Sequence, residues 1–446
     1  MKYSASIPAV FSCLILFVLA GVSHAAGKEK EADAAKKIIP AQTITGQLKM
    51  RVLDRVANLE KLDLSHCGDI VALPALADLK NLSAINLRGC VNLADVSGLA
   101  GMQKLKSADL AYCEKLTTLS GLSELKSLTD LDLSGCQSLK DISALSSAPN
   151  LKKLNLGCCT SLTNLSGLAG MKSLATLNLY DCGRLTDISA LSGLTKLEWL
   201  CLSGCADLAS LSALSGLKSL KELNLEGCVK LNDLAPLSEL RSLEFLDLKN
   251  CKGFKDIRPL GNLKKLQYLN LPDSLTDQQL RWLRDQGVLD GLESLGLCGC
   301  SNLTDLSVLA NLKNLTSLNL SDCKNLKDIS ILAKLTSLTR LCLSGHEKLT
   351  DVSFLAGLKR LEELQLSGCK NLKDVSGLAK LKNLRRLNMY GCENLEDISA
   401  VSGLKKLEML CLCYCEKLKH SDVKRLYKQL PFCEITHVLR SSRKSK

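Results

Sequence analysis

Cysteine is the residue with most chemistry to offer in this sequence. The chain of 446 residues holds 22 of them against five histidines, and thiols act in proteins as nucleophiles, disulfide partners and soft metal ligands. Fourteen occupy one slot of a recurring phrase, seen in LTDLDLSGCQSLKDIS from Leu128 to Ser143, where Cys136 closes an LxLxxC run. The slot falls at Cys67 and every 23 residues from there to Cys251, then reaches Ser274 and steps 26 to Cys300. It resumes at 23 through Cys323, His346, Cys369, Cys392 and Cys415. A role repeated along the whole chain is not that of one catalytic nucleophile. No nucleophile elbow, phosphate-binding glycine loop or HExxH motif occurs either, so the chain reads as a non-enzyme.

The elements that carry the slot follow from the leucines. Those of LxL alternate with the period of a short strand buried on one face. After the slot come a leucine three residues on, an Asp-Ile-Ser or Asp-Val-Ser five to seven on, and leucines nine, twelve and fifteen on. Asp141, Asp187, Asp328 and Asp397 hold the aspartate position, where a carboxylate can accept backbone N–H groups at the start of a tight helical turn. The return path is too short for an α-helix in most units, which leaves one or two 3₁₀ turns per coil. In period, strand phrase and slot residue the sequence resembles the leucine-rich repeat superfamily, over roughly Leu48 to His437. The Asp-Ile-Ser half is similar to the repeats of internalins and other bacterial surface proteins. A cysteine in place of their asparagine is closer to the repeats of ribonuclease inhibitor and F-box partners. The resemblance implies an α/β fold class, a leucine-rich-repeat solenoid of about 16 coils of 23 residues. Its form would be a curved horseshoe, with a parallel β-sheet on the concave face and mainly 3₁₀ turns on the convex side. It also implies partner binding, without saying which partner.

In that superfamily the slot residue points into the turn after the strand and bonds to backbone groups of its own and the neighbouring coil. A cysteine there is a small buried residue with a weak S–H donor, and a structural thiol ladder is expected. Ser274 fits as another small donor, while His346, being larger, is expected to mark a local distortion. Stacked coils put successive slots roughly 5 Å apart, inside the Cα range of a disulfide, but each sulfur is committed to its own turn and is expected to stay reduced. Metal has one candidate, CLCYC from Cys411 to Cys415, with Cys433 and His437 farther along. C-x-C is not a standard zinc pair, so no metal and no cofactor are expected. Cys158, Cys201, Cys298 and Cys342 fall at scattered places. Asp63, Asp109, Asp132, Asn155, Asn178, Asn224, Asp247 and Asn319, between the two strand leucines, read as a solvated polar row.

The period breaks at SLTDQQLRWLRDQGVLDGL, Ser274 to Leu292, where Thr276 and Gln279 suit a capping box and Leu280, Trp282 and Leu283 supply apolar contacts for a helix. The end, HSDVKRLYKQLPFCEITHV, reads as a helix from Ser421 and an edge strand near Cys433 to Val438, closing the last coil. QLKMRVLDRVANL should cap the first coil. The N-terminus has an apolar run of 14 residues from Ala9 to Val22, then Ser23 and Ala25, the pattern of a cleaved secretory signal and short for a membrane span. The expected organisation is a signal peptide over 1–25, a mobile linker over 26–45, the repeat domain with end caps over 46–438 (irregular coil 274–300), and a basic tail over 439–446. The mature chain would then be secreted, periplasmic or on the cell surface.

Net charge is +12, much of it in recurring pairs such as Lys264-Lys265 and Lys405-Lys406. A solvated ridge that keeps a leucine-rich rod soluble accounts for these; the alternative is a binder of anionic polymer or nucleic acid. Aromatics make up only 3% of the chain, without the interleaved rings and bases of single-strand binders. A protein partner is therefore the favoured class. Against that background, strand alternation turns Tyr180, Trp199, Phe245 and Tyr268 outward on the concave side, with Phe245 beside Tyr268 at a coil spacing of about 4.8 Å. Rings on a rigid sheet are the anchors protein interfaces use.

Overall fold

The structure is a computed structural model and describes residues 59–438 apart from Pro74. The expected signal, linker and basic tail, and nearly all of the N-terminal cap, lie outside the described residues.

Each repeat folds into the same coil. In the one carrying Cys136, Leu131 and Leu133 point inward from the strand Asp130–Asp132 and the residue after it, and Leu139, Ile142, Leu145 and Leu151 line the return path. All six are 3% exposed or less. Burying such a side chain stabilises by about 1.5–3 kcal/mol, yet one coil alone cannot cover its own leucine layer. Stacking does so: the next strand pairs in parallel, with Leu131 beside Leu154. The return path makes a 3₁₀ turn, Ser143–Ser147, opened by Asp141, whose Oδ1 accepts the Ser143 N–H at 2.8 Å. Asp187, Asp328 and Asp397 do the same at 2.8, 2.8 and 2.7 Å. Backbone N–H donation of this kind, from Ser330, Ser376 and Ser399, holds the carboxyls of Asp328, Asp374 and Asp397 below their ordinary pKa.

Two backbone positions constrain the sequence further. The residue before the slot is left-handed in every described coil except that of Asp273, and is often a glycine. His66, Tyr112, Cys158, Asp181, Asn250, Asp322 and Tyr414 adopt it at φ of 56 to 60°. Its N–H carries the ladder on to the next coil, as Gly135 N–H to Gly157 O at 2.7 Å. In several coils the second 3₁₀ residue is a glycine pressed on the coil before: a Cβ at Gly121 would fall inside the contact radius of Val96 O.

The chain divides into two compact units, up to Leu223 and from Asn224. In the first, the strands Lys61–Asp63, Ala84–Asn86, Ser107–Asp109, Asp130–Asp132, Lys153–Asn155, Thr176–Asn178 and Trp199–Cys201 pair in parallel, each with its successor. In the second, Phe245–Asp247, Tyr268–Asn270, Ser294–Gly296, Ser317–Asn319, Arg340–Cys342, Glu363–Gln365, Arg386–Asn388, Met409–Cys411 and Glu434–Thr436 do likewise. The strand Glu222–Asn224 lies across the division. The architecture is the leucine-rich-repeat solenoid that the resemblance implies.

The irregular coil contains helix α1, Asp277–Asp285, opened by the anticipated capping box: Gln279 N–H donates to Thr276 Oγ1 at 3.3 Å, and Thr276 N–H to Gln279 Oε1 at 3.0 Å. Leu280 and Leu283 are buried beneath it. The three extra residues are absorbed there, because Tyr268 still pairs with Ser294 in register. Helix α2, His420–Gln429, begins one residue before its expected start and precedes the last strand.

Gly121→Ala should lower stability by about 1–3 kcal/mol through overpacking. Gly193→Ala, in a 3₁₀ turn where an added Cβ would meet nothing within 4 Å, should be nearly neutral; equal denaturation midpoints for the two variants would remove the close-approach account. The lowered aspartate pKa values also set a pH dependence. Their stabilisation is full above the ordinary carboxylate value of 3.8 and is lost as pH falls through the lower folded values. Asn164 caps Ser166 N–H at 2.7 Å without a titrating group. The triple change Asp328→Asn, Asp374→Asn and Asp397→Asn should therefore flatten the loss of stability between about pH 5 and pH 2 in urea titrations, and an unchanged acid slope counts against these carboxylates as its source.

Candidate functional site

The slot comes first, because it decides which groups remain for partners. Cys136 Sγ donates to Leu110 O at 3.3 Å, and that oxygen also accepts the N–H of Cys113, in its own coil, at 3.3 Å. One coil on, Leu133 O takes the Cys136 N–H and the Cys159 thiol, each at 3.2 Å. The thiol bond recurs from Cys90 to Leu64 O at 3.2 Å through to Cys415 and Met389 O at 3.1 Å. Burial pushes the thiol of Cys90 up to about 11 and those of Cys113, Cys251, Cys323 and Cys369 up to about 12, so at neutral pH these five are neither nucleophiles nor ready metal ligands.

Two slot residues depart from expectation. His346 causes no distortion: its Nε2 donates to Leu320 O at 2.7 Å, the oxygen that also accepts Cys323 N–H at 3.3 Å, and its strand pairs in register on both sides. A longer donor reaches the same acceptor. Ser274 does not act as a small donor, since its buried hydroxyl has no hydrogen-bond partner among the described residues. Cys300 Sγ turns instead to Pro272 O at 3.4 Å. This is the coil whose residue before the slot, Asp273, is not left-handed.

Each coil turns three positions toward the open face: six, four and two residues before the slot. The middle one is the expected polar row, with Asp63 exposed, Asp247 buried and the other six half-buried, but it has a structural task as well. Asp63, Asp109, Asp132, Asn155, Asn178, Asn224, Asp247 and Asn319 each accept, through Oδ1, the N–H of the residue two further on, at 2.8 to 3.1 Å. They hold the turn that sets the slot. Where such a turn bond is made, sequence-specific chemistry is left to the outer two rows.

Trp199, Phe245 and Tyr268 stand in the row six before the slot, half-buried, at the first residue of their strands. Tyr180 is elsewhere: it follows its strand, in the row two before the slot, and is 49% exposed. In the first unit, Tyr180 and Trp199 thus occupy different rows of successive coils. In the second unit, Phe245 and Tyr268 stack, ring centroids 4.3 Å apart and 12° from parallel. Sequence reading passed over Tyr390, which meets Tyr414 edge-on at 5.0 Å, and Tyr112, which lies under the Arg88 guanidinium at 4.8 Å. These rings follow their strands, and aromatics one or two residues before the slot were the available signal.

Beside the Phe245–Tyr268 stack the second unit opens a notch, a cavity of about 520 Å³. Its origin is local. The turn-holding asparagine of this coil is Asn270, but the residue two further on is Pro272, which has no N–H to offer. Asn270 Oδ1 is therefore without the turn bond, while its Nδ2 donates to Asp247 Oδ2 at 2.7 Å, as Asn155 Nδ2 does to Asp132 at 3.2 Å, and to Tyr268 Oη at 3.0 Å. Asn270 leans over Gly296, where any Cβ would collide with its Oδ1. Ser294 and Ser317, the next two residues in the row after Tyr268, are too small to fill the space, and Arg340 follows them. Asp247 is 6% exposed, and burial holds its carboxyl above the usual range. Lys249 is paired with Glu226 at 3.1 Å.

Several ridge lysines serve the repeat. Lys382 Nζ donates to Gly403 O at 3.2 Å, Lys405 to Gln429 O at 2.9 Å, Lys406 to Asn383 Oδ1 at 2.8 Å, and Lys264 to Gln286 O. Each joins one coil to a neighbouring one. Cys411 and Cys413 are half-exposed on successive outward positions, and among the described residues no three His, Cys, Asp or Glu side chains converge as metal ligands. Among the described residues no helix is long and apolar enough to cross a membrane.

These coils, shared carbonyls and row assignments define a leucine-rich-repeat scaffold. The sequence profile of the BspA type leucine-rich repeat region matches residues 172–276 and 293–419, more than half of the chain, and a general leucine-rich repeat profile matches 149–193. The chain belongs to the BspA-type leucine-rich repeat family. No curated protein sequence matches it significantly. Among solved structures, a leucine-rich repeat protein of Leptospira interrogans is similar at 22% identity, over 87% of this chain and 98% of that one, with a TM-score of 0.64. The functional domain of InlJ from Listeria monocytogenes, described as including a cysteine ladder, is similar at 22% identity, over 81% and 76%, with a TM-score of 0.51. At that identity the likeness concerns the fold. Leucine-rich repeat proteins of this type are protein-binding scaffolds.

Thiol titration of the native chain lacking residues 1–25 should count Cys158, Cys298, Cys342, Cys411, Cys413 and Cys433, the half-exposed cysteines. The fifteen buried ones should appear only after unfolding without reductant. Buried thiols still missing after unfolding would mean disulfides in place of the ladder.

Proposed function

We propose that this chain is exported and works as a non-enzymatic protein-binding scaffold, in the cell envelope or against a host surface. The open face of its sheet carries the contact: Tyr180 and Trp199 are the anchors in the first unit, Phe245 and Tyr268 in the second. The observation that carries the reading is the Phe245–Tyr268 stack, ring on ring at 4.3 Å, on a face where turn bonds such as that of Asp247 take up most of the middle row. A ring braced by its neighbour loses little conformational freedom when a partner covers it, which favours it as an anchor. The N-terminal signal pattern supports export, as does membership of a family of bacterial-type repeats. The competing reading, a polyanion-binding lysine ridge, is weakened by the lysines that bond to backbone and asparagine acceptors of neighbouring coils.

The test is affinity capture with the chain lacking residues 1–25, followed by binding measurements on the captured protein. Trp199→Ala or Tyr268→Ala should each weaken binding by on the order of 2 kcal/mol, roughly thirtyfold, with the melting curve unchanged. A partner held equally by the parent, both single variants and Phe245→Ala rules out these anchors. An affinity that falls log-linearly and steeply with salt would return attention to the lysines.

A further inference from the structure

The notch next to Tyr268 has a shape and polarity that restrict what can enter it. Phe245 covers one face of the Tyr268 ring, and on the other side the paired residue is Ser294, so that second face is open. Along the row the order is Tyr268, Ser294, Ser317, Arg340, three coil steps of about 4.8 Å each. Two side-chain layers are therefore missing between a ring and a guanidinium. A planar ring laid over Ser294 would continue the Phe245–Tyr268 stack at ordinary stacking distance. The second layer, over Ser317, lies against Arg340, which is exposed. Arg386 pairs with Glu363 at 3.7 Å, whereas Arg340 makes no ion pair among the described residues. A planar fork with no partner is suited to a carboxylate.

Resting on the scaffold reading above, we infer that the notch receives a protein segment presenting an aromatic ring and a carboxylate about one coil spacing apart, the ring stacking on Tyr268 and the carboxylate pairing with Arg340. Residues four apart on a helix present side chains about 5–6 Å apart, and residues two apart on an extended strand about 6.7 Å apart, a difference that the flexible stem of a glutamate spans. A nucleotide offers a ring and an anion as well, but the charged lining sets Glu226 and Asp247 against Lys249 and Arg340, and with Lys249 already paired to Glu226 it offers one guanidinium for a single carboxylate rather than a basic track for a phosphodiester chain. Asn270 Oδ1, with both Nδ2 bonds made inside the protein, remains as an acceptor for a peptide N–H.

Saturation-transfer NMR with the chain lacking residues 1–25 tests this on a defined probe, acetyl-Phe-Ser-Glu-amide. The parent should transfer saturation to the phenylalanine ring. Transfer should fall about tenfold for acetyl-Phe-Ser-Gln-amide and for Arg340→Gln, the loss expected when a charge-assisted pair is removed. Ser294→Phe, which supplies the missing ring from the chain itself, should abolish it. Arg340→Gln lies on an exposed row, so it keeps the test valid if Ser294→Phe fails to fold. The proposal is overturned if the parent gives no transfer, if both variants equal the parent, or if oligothymidylate binds and is lost with Ser294→Phe. The two readings also separate on a captured partner. One that keeps its affinity for Ser294→Phe and Arg340→Gln but loses it with Trp199→Ala refutes the notch and leaves the scaffold; one indifferent to every variant refutes both.

Discussion

The carbonyl oxygen of the second strand leucine is the acceptor on which each coil is set. It receives the slot N–H of its own coil and the slot thiol of the next, as Leu133 O does from Cys136 and Cys159. Its geometry requires a donor long enough to reach across one coil spacing and small enough to sit in a sealed turn, which a cysteine meets and His346 meets in another way. Single S–H bonds are weak. Their importance here is steric and repetitive: they let every turn close dry on the leucine layer, and hydrophobic burial then supplies the stability. The left-handed residue before the slot and the aspartate or asparagine four before it follow from the same turn, since both deliver N–H groups or acceptors to it.

That division of labour decides where function can reside. With most of the middle row occupied by turn bonds and several ridge lysines joined to neighbouring coils, partner chemistry falls mainly to the rows six and two before the slot. Those rows vary most along the chain, from Trp199 and Arg340 to Lys249 and Tyr390. The notch arises where the repeat fails: Pro272 withdraws an N–H, Asn270 is released, and Gly296 makes room for it.

Much of this was legible in the sequence because it is local or periodic. The slot, the alternating leucines, the aspartate that opens each 3₁₀ turn, and the Thr276–Gln279 box each depend on residues a few positions apart. The turn bonds of Asp63, Asp109 and their equivalents were not legible, because Asp and Asn look alike whether they only face water or also bond to the backbone two residues on. His346 was misjudged by size alone, when reach was what the slot selects. Tyr180 shares the outward sense of Trp199 but belongs to another row, which alternation does not resolve. The notch could not be read at all, since it needs Pro272, Gly296 and Ser317 brought together from successive coils. Nor does any break in the 23-residue period mark the division between Leu223 and Asn224.

The shared carbonyl is open to direct observation through the infrared S–H stretch, which falls in a window clear of water and amide absorption. Native protein should show this band shifted to lower frequency and intensified, in proportion to the buried slot cysteines, and unfolding should return it to the position of a free thiol. Cys136→Ala should remove a share of the shifted band and leave the rest unchanged. A native band already at the free-thiol position would contradict the ladder and the account of the coil that depends on it.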